Sequence, residues 1–150
     1  MLDHVTLKVS NLARSLAFYN AAFTALGITH LYSEGQKFAG YGIAPKAFFW
    51  IGETNHPVTG THIALAAPNR ATVDNFYKAA ITAGATDNGK PGLRPHYSEN
   101  YYAAFVLEPD GHNIEAVCLT PTPKKTTPNK NGPVHTEPFP KPDSRKLNPR

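Results

Sequence analysis

Leu2-Asp3-His4-Val5-Thr6-Leu7-Lys8-Val9 and, 58 positions later, Gly60-Thr61-His62-Ile63-Ala64-Leu65-Ala66-Ala67 read as two versions of one strand. The same offset relates Asn11 to Asn69, Ala13 to Ala71, Phe18-Tyr19 to Phe76-Tyr77 and Ala21-Ala22 to Ala79-Ala80. So many matches in one register indicate two copies of one supersecondary unit. Side chains alternate across a strand, so Val5, Leu7 and Val9 share one face while His4, Thr6 and Lys8 share the other. Each copy thus begins with a histidine.

Working outward, Ser10-Asn11 supplies a helix cap, and Leu12, Leu16, Tyr19, Phe23 and Leu26 recur at helical spacing up to a stop at Gly27. Three short strands are predicted next, at 28–33, about 37–43 and 47–51, divided by Glu34-Gly35 and Ala44-Pro45. Residues 52–60 join the copies. The second copy repeats the order: a strand over 61–67, a cap at Asn69, then a helix carrying Val73, Phe76, Tyr77, Ala80 and Ile81, stopped by Gly84. Weak strand material surrounds Thr86, and 88–100 reads as a long loop. Residues 101–107 and 113–119 form a closing hairpin around the turn Pro109-Asp110-Gly111. The order is βαβββ twice. One helix per copy can cover only one side of a four-stranded sheet, which frees the histidine-bearing side to curve around a cavity. The expected class is α+β: two βαβββ modules, about 1–52 and 60–119, forming a curved mixed sheet or half-barrel with the helices outside.

Composition divides the chain near Thr120. Residues 121–150 hold eight of the fourteen prolines and few apolar side chains, namely Val134, Phe139 and Leu147. Such a segment buries too little apolar area to offset its ordering entropy, so 120–150 is expected to be a disordered Pro/Lys-rich tail. Seven basic against two acidic side chains give this tail +5; the whole chain is +4, which leaves the remainder at −1. The basic balance therefore belongs to the tail and argues against a nucleic-acid-binding domain. Cys118 stands alone among apolar neighbours, which excludes a disulfide framework and suggests a buried thiol. There is no signal-peptide pattern and no apolar run near the roughly 20 residues that span a bilayer. No membrane contact is expected, and a cytoplasmic location follows as the default.

Three side chains could carry chemistry together: His4, His62 and Glu115. Glu115 stands in the apolar run Ile114-Glu115-Ala116-Val117-Cys118, where alternation separates it from Ile114, Ala116 and Cys118. A carboxylate there is costly to bury unless it is paired, hydrogen-bonded or bound to a cation. Two neutral imidazoles and one carboxylate form the ligand set of a divalent ion with open positions. Such an ion binds substrate or oxygen, or acts as a Lewis acid.

Paired βαβββ modules, a histidine heading the first and fifth strands, and Pro109-Asp110-Gly111-His112-Asn113-Ile114-Glu115 near the end resemble the vicinal oxygen chelate superfamily. This is the group of glyoxalase I, extradiol dioxygenases, fosfomycin-modifying thiol transferases and bleomycin-resistance proteins. The resemblance covers about 1–119 and places His4, His62 and Glu115 on the family's metal positions. It implies a divalent-metal cofactor (Fe, Mn, Zn or Ni) and a small substrate that chelates through neighbouring oxygens. Glyoxalase I looks to a further glutamate on the last strand of its first module. Aligning Phe48-Phe49-Trp50-Ile51 with Ile114-Glu115-Ala116-Val117 sets Phe49 there, and phenylalanine neither ligates nor accepts a proton. Glyoxalase I chemistry is therefore not expected.

A three-ligand set agrees better with the dioxygenases and the fosfomycin-type transferases of the family, and the expected enzyme is a metal-dependent dioxygenase or lyase/isomerase. The acid–base positions then fall to His96, Tyr97 and Tyr102. Phe49, Trp50, Arg94 and Tyr101 are the candidates for substrate binding, Arg94 through a bidentate contact to an anionic group. Two alternatives stand beside this reading: a metal-free binding protein like the bleomycin-resistance proteins, and a fosfomycin-type thiol transferase. The resemblance leaves open a site within one chain or across a two-fold axis; a homodimer is expected, because one copy of each module alone leaves sheet edges to cover.

Overall fold

In a computed structural model of the chain, residues 2–35, 37–56 and 59–122 are described. The expected tail lies almost wholly outside them, from 123 onward. The elements are β1 (Val5–Val9), α1 (Leu12–Thr24), β2 (Thr29–Glu34), β3 (Phe38–Ile43), β4 (Lys46–Glu53), β5 (His62–Ala66), α2 (Arg70–Thr82), β6 (Thr86–Leu93), β7 (Tyr102–Leu107) and β8 (Asn113–Cys118). They form two mixed four-stranded sheets rather than one, ordered β1-β4-β3-β2 and β5-β8-β7-β6. In each, the first strand runs parallel to the last and the remaining neighbours are antiparallel. This is the expected duplicated βαβββ architecture.

Local chemistry accounts for the helices. The Asn11 side chain accepts from the Arg14 N–H, and the Asn69 side chain from the Thr72 N–H, each satisfying an orphan donor of the first turn. Gly27 and Gly84 follow the helix ends at φ +75° and +94°, a conformation that favours glycine. Neither helix is long and apolar enough to cross a membrane.

Each helix buries its apolar stripe on one face of its own sheet. In the first module the contact is aromatic. Phe23 meets Phe49 at 4.8 Å and Tyr41 at 5.4 Å between ring centroids, both edge-on, and Tyr19 lies 5.2 Å from Phe49. The second module uses smaller groups: Val73, Phe76 and Ala80 of α2 bury with Ala104, Val106, Ile114, Ala116 and Cys118. Cys118 is a buried free thiol, as its neighbours suggested.

One element departs from expectation. Residues 86–93 form a full strand, β6, where the Gly- and Pro-containing sequence suggested the start of a loop. β6 is the sheet edge, where a proline costs no ladder bond to an outer neighbour. Its pairing with β7 shifts register around Gly89, which sits at φ +150°. The irregular composition is the bulged edge itself.

The Pro109-Asp110-Gly111 turn does more than reverse the chain. The Asp110 carboxylate accepts from the Ser10 N–H at 3.0 Å and pairs with the Arg14 guanidinium at 2.7 Å, at the mouth of α1. His112 is 1% exposed and joins the modules through its ring. Its Nδ1 accepts from the Thr61 N–H, so its Nε2 carries the proton and donates to the Lys8 carbonyl, both at 3.3 Å. The Glu108 carboxylate steadies the turn by accepting from the Asp110 and His112 N–H groups at 2.8 and 3.1 Å. Burial raises the Glu108 carboxyl above its ordinary range despite those donors.

Replacing His112 by Phe keeps a flat ring, somewhat larger, but strands the Thr61 N–H and Lys8 C=O. Urea unfolding of His112→Phe is expected to show a loss of about 1–3 kcal/mol, the cost of leaving a buried polar group unpaired. An unchanged midpoint would mean that the ring does not join the modules.

Candidate functional site

Pairing register decides which side chains face away from the helices. In the second sheet, His62 lies opposite Asn113, Ala64 opposite Glu115, and Glu115 opposite Phe105. His62 and Glu115 are therefore diagonal neighbours on one face. His62 Nε2 lies 3.1 Å from Glu115 Oε2. Tyr101 donates its hydroxyl to Glu115 Oε1 at 2.6 Å. Glu115 is only 2% exposed, whereas the His62 side chain is 48% exposed and opens to solvent. A buried carboxylate thus holds one partner on each oxygen.

This group forms the floor of a cavity of about 540 Å³ lined by His62, His96, Tyr97, Tyr101, Phe105, Asn113 and Glu115. Tyr97 bridges the wall, 4.2 Å from the His96 ring and 5.0 Å from the Tyr101 ring. Burial, then the bond to the Glu115 carboxylate, pushes the Tyr101 phenol up to about 12. It remains a neutral donor throughout the neutral range.

Of the residues expected at the site, His62, Glu115, His96, Tyr97 and Tyr101 come together. Four others do not. Tyr102 points to the helix side of β7 and donates to the Asp74 carboxylate of α2 at 2.8 Å. Alternation alone separates it from Tyr101. Phe49, assigned to substrate binding, is 1% exposed within the ring cluster on α1. Arg94 does not line this cavity; its guanidinium lies over the Phe105 ring, 5.6 Å from the ring centre, and donates to the Lys90 carbonyl at 2.8 Å. Trp50 faces a different cavity, of about 260 Å³, lined by His4, Thr6, Glu34, Phe38 and Trp50.

His4 belongs to that second cavity and bonds to Asp3 at 2.9 Å. Among the described residues, no three His, Cys, Asp or Glu side chains are grouped to hold one ion. His62 and Glu115 do fit as a pair. Both atoms can reach one divalent ion at ordinary bond lengths of roughly 2.0–2.2 Å.

Register also corrects the internal alignment. Val5 pairs with Phe49 as Ile63 pairs with Ile114, so Phe49 is the counterpart of Ile114. The counterpart of Glu115 is then Trp50, one residue along from the expected position. A one-residue slip moves every side chain to the other face. The consequence for glyoxalase I is unchanged, since indole does not ligate either. Glu53, the next carboxylate along the chain, is turned to the helix side and accepts from the Leu12 N–H at 2.7 Å. Asn113 and Phe105 were missed, although period-two spacing from Glu115 and from Tyr101 marks both.

A family model, Glyoxalase/Bleomycin resistance protein/Dioxygenase superfamily, matches residues 1–116. The chain belongs to this superfamily. Among solved structures, a glyoxalase/bleomycin resistance protein from Albidiferax ferrireducens T118 shares 28% identity with a TM-score of 0.67, covering 79% of this chain and 98% of that one. A glyoxalase/bleomycin resistance protein/dioxygenase family enzyme from Burkholderia phytofirmans PsJN shares 18% identity, with TM-score 0.63 and coverage of 79% and 98%. A lactoylglutathione lyase from Agrobacterium tumefaciens shares 15%, with TM-score 0.59 and coverage of 79% and 92%. These last two likenesses speak to the fold alone. No curated protein is significantly similar in sequence.

Tyr101→Phe leaves a buried carboxylate oxygen without its donor. The variant is expected to lose about 1.5–3 kcal/mol in denaturant unfolding, the range for a hydrogen bond to a charged group. A loss below about 0.5 kcal/mol, the scale of neutral surface changes, would contradict this pairing.

Proposed function

We propose that the protein is a divalent-metal-dependent enzyme of this superfamily, acting on a small substrate that chelates through neighbouring oxygens. The observation that carries the reading is the buried Glu115 carboxylate held beside the exposed His62 imidazole on an open cavity floor. Buried charge of this kind calls for a cation or a full set of donors. A bound divalent ion would supply Lewis acidity and open positions for substrate oxygens.

The chain's own residues do the rest. Tyr101 fixes Glu115 by occupying Oε1, which turns Oε2 toward His62 and the cavity. Outer partners of this kind commonly alter metal affinity 10–100-fold when removed, and this scale is expected of Tyr101. His96 and Tyr97, on the cavity wall, are placed to hold or move a proton at a substrate oxygen. Phe105 supplies an apolar side. The Trp50 substitution in the matching place argues against isomerase chemistry that needs a second carboxylate base.

The third ligand is His4 of a second copy of the chain. Two observations support a homodimeric site: His62 and Glu115 form a pair with no third ligand grouped beside them among the described residues, and His4 lies on the matching face of the other module. A two-fold pair would bring first and second modules of different copies together twice.

Complementation tests this directly. His4→Ala and Glu115→Ala should each lose divalent-metal binding in calorimetric titration with Mn(II) or Zn(II). When the two variants are mixed after reversible dissociation, each mixed pair should regain one intact site. Retained binding in Glu115→Ala would sink the metal site. Lost binding in both with no recovery on mixing would sink its assembly from two copies.

A further inference from the structure

The seam between the modules contains three buried oxygens that meet no hydrogen-bond partner among the described residues: Ser15 Oγ, the Tyr19 hydroxyl and Glu108 Oε2. Ser15 and Tyr19 lie one turn apart on α1 and are both fully buried. Glu108 comes from the other module. Tyr102, Ala104 and Val106 take the helix side of β7, and the period of two carries Glu108 to that side just past the strand's end. Its Oε1 accepts from the Asp110 and His112 N–H groups, which leaves Oε2 with nothing in its own turn to bond.

Two observations set these groups face to face. Asp110 already reaches Ser10 and Arg14 at the start of α1. Burial first, and the Glu108 charge second, push the Tyr19 phenol well above its ordinary range. Ser15 sits on α1 between these points, so a hydroxyl-bearing stripe of one module looks onto a carboxyl group of the other. Native interiors leave few polar atoms unpaired, and three at one seam call for a shared explanation. A carboxylate only accepts, whereas a carboxylic acid brings a donor of its own. We propose that these three residues form a proton-operated latch between the modules: with a proton on Oε2, Glu108 donates toward the α1 hydroxyls and the seam closes, and loss of that proton loosens it.

The surroundings favour the acid form. Burial is the largest influence on the Glu108 carboxyl and raises it; the N–H groups on Oε1 oppose this, and the Asp110 charge adds to it. Few titratable groups face Glu108. From α1 they are Tyr19, which stays a neutral hydroxyl, and Arg14, which is committed to Asp110. From its own turn they are Asp110 and His112, whose ring is committed to Thr61 and Lys8. The Lys8 ammonium lies over the Phe38 ring on the far face of the sheet. Because folding raises this carboxyl, its contribution to stability is full below the unfolded value of about 4.3 and is lost as pH rises through the folded one. His4, His62 and Glu115 take no part.

The full chain is followed in chelator at one protein concentration, so that neither a metal nor assembly enters. The Glu108 side-chain carboxyl carbon resonance is expected to titrate above the ordinary value of about 4.3. Denaturant unfolding of the wild type is compared across pH with Glu108→Gln, a neutral isostere that keeps a donor. Relative to this variant, the wild-type folding constant should fall with rising pH, by about tenfold for each pH unit between the Glu108 midpoint and the ordinary value. Exchange protection of the Ser10 and Thr61 N–H groups, which cross the seam, should fall alongside it in the wild type and hold in Glu108→Gln. In Ser15→Ala the Glu108 midpoint should drop, since the acid loses an acceptor. A wild-type midpoint at or below the ordinary value, or a ratio of folding constants that is flat with pH, would overturn the latch. A midpoint unchanged or higher in Ser15→Ala would overturn the pairing with the hydroxyls. Stability that follows Na+ or K+ and ignores pH would make the seam a cation site and overturn the latch as well. Should Glu108→Gln fail to fold, the wild-type midpoint decides alone.

Discussion

The parallel pairing of β1 with β4 and of β5 with β8 governs everything on the cavity side of this molecule. Once Val5 is set against Phe49 and Ile63 against Ile114, alternation leaves no freedom. Phe49, Ile51, Ile114 and Ala116 go to the helices, while Trp50 and Glu115 go to the open faces. His62 reaches Glu115 as a diagonal neighbour, and His4 stands to Trp50 in the same relation. Duplication therefore made two equivalent positions, and substitution gave them opposite characters. One holds a charged group that needs partners. The other holds a ring laid over Gly40, where an added Cβ would come within 2.7 Å of the indole.

Why Glu115 can be buried follows from its two oxygens. Each already has a partner, Tyr101 on one and His62 on the other, and the imidazole remains half open to solvent. A carboxylate so placed avoids most of the cost of an unpaired buried charge. The Tyr101 phenol responds in kind: with its pKa pushed up to about 12, it keeps the donated proton under any ordinary condition. The pair is thus held in one orientation before any ligand arrives, which is the preorganisation a binding site requires.

Much of this was legible in the sequence because the signals were periodic. The 58-residue repeat, the Asn caps with their Gly stops, and alternation in β1 and β8 each follow from a local rule, and each marks an element that formed. The apolar run around Glu115 likewise exposed the one buried carboxylate on the cavity floor. Failures came where a local rule had two outcomes. Gly89, Pro91 and Gly92 read as loop because an edge strand tolerates residues a central strand does not. Phe48-Phe49-Trp50 offered three aromatics in succession, and composition cannot say which face each takes. Only pairing register could, and it lies between residues 44 positions apart, such as Val5 and Phe49. Tyr101-Tyr102 posed the same problem, although the period of two already separated them.

The turn after β7 shows how the motif that carries the family resemblance also fixes the module geometry. Asp110 reaches the mouth of α1, and His112 ties Thr61 to Lys8, so the start of β8 is anchored to the end of β1. That anchor lies only one residue from Asn113 and three from Glu115. Any shift of one module against the other must therefore displace the ends of β1 and β8 together, and with them the strands that bear His4 and Glu115. Yet within one chain those two side chains open into separate cavities. A clamp that holds the modules in this relation also prevents one chain from folding its first cavity over its second. Under the proposed reading, completion of the metal set by another copy is the arrangement that would leave the clamp intact.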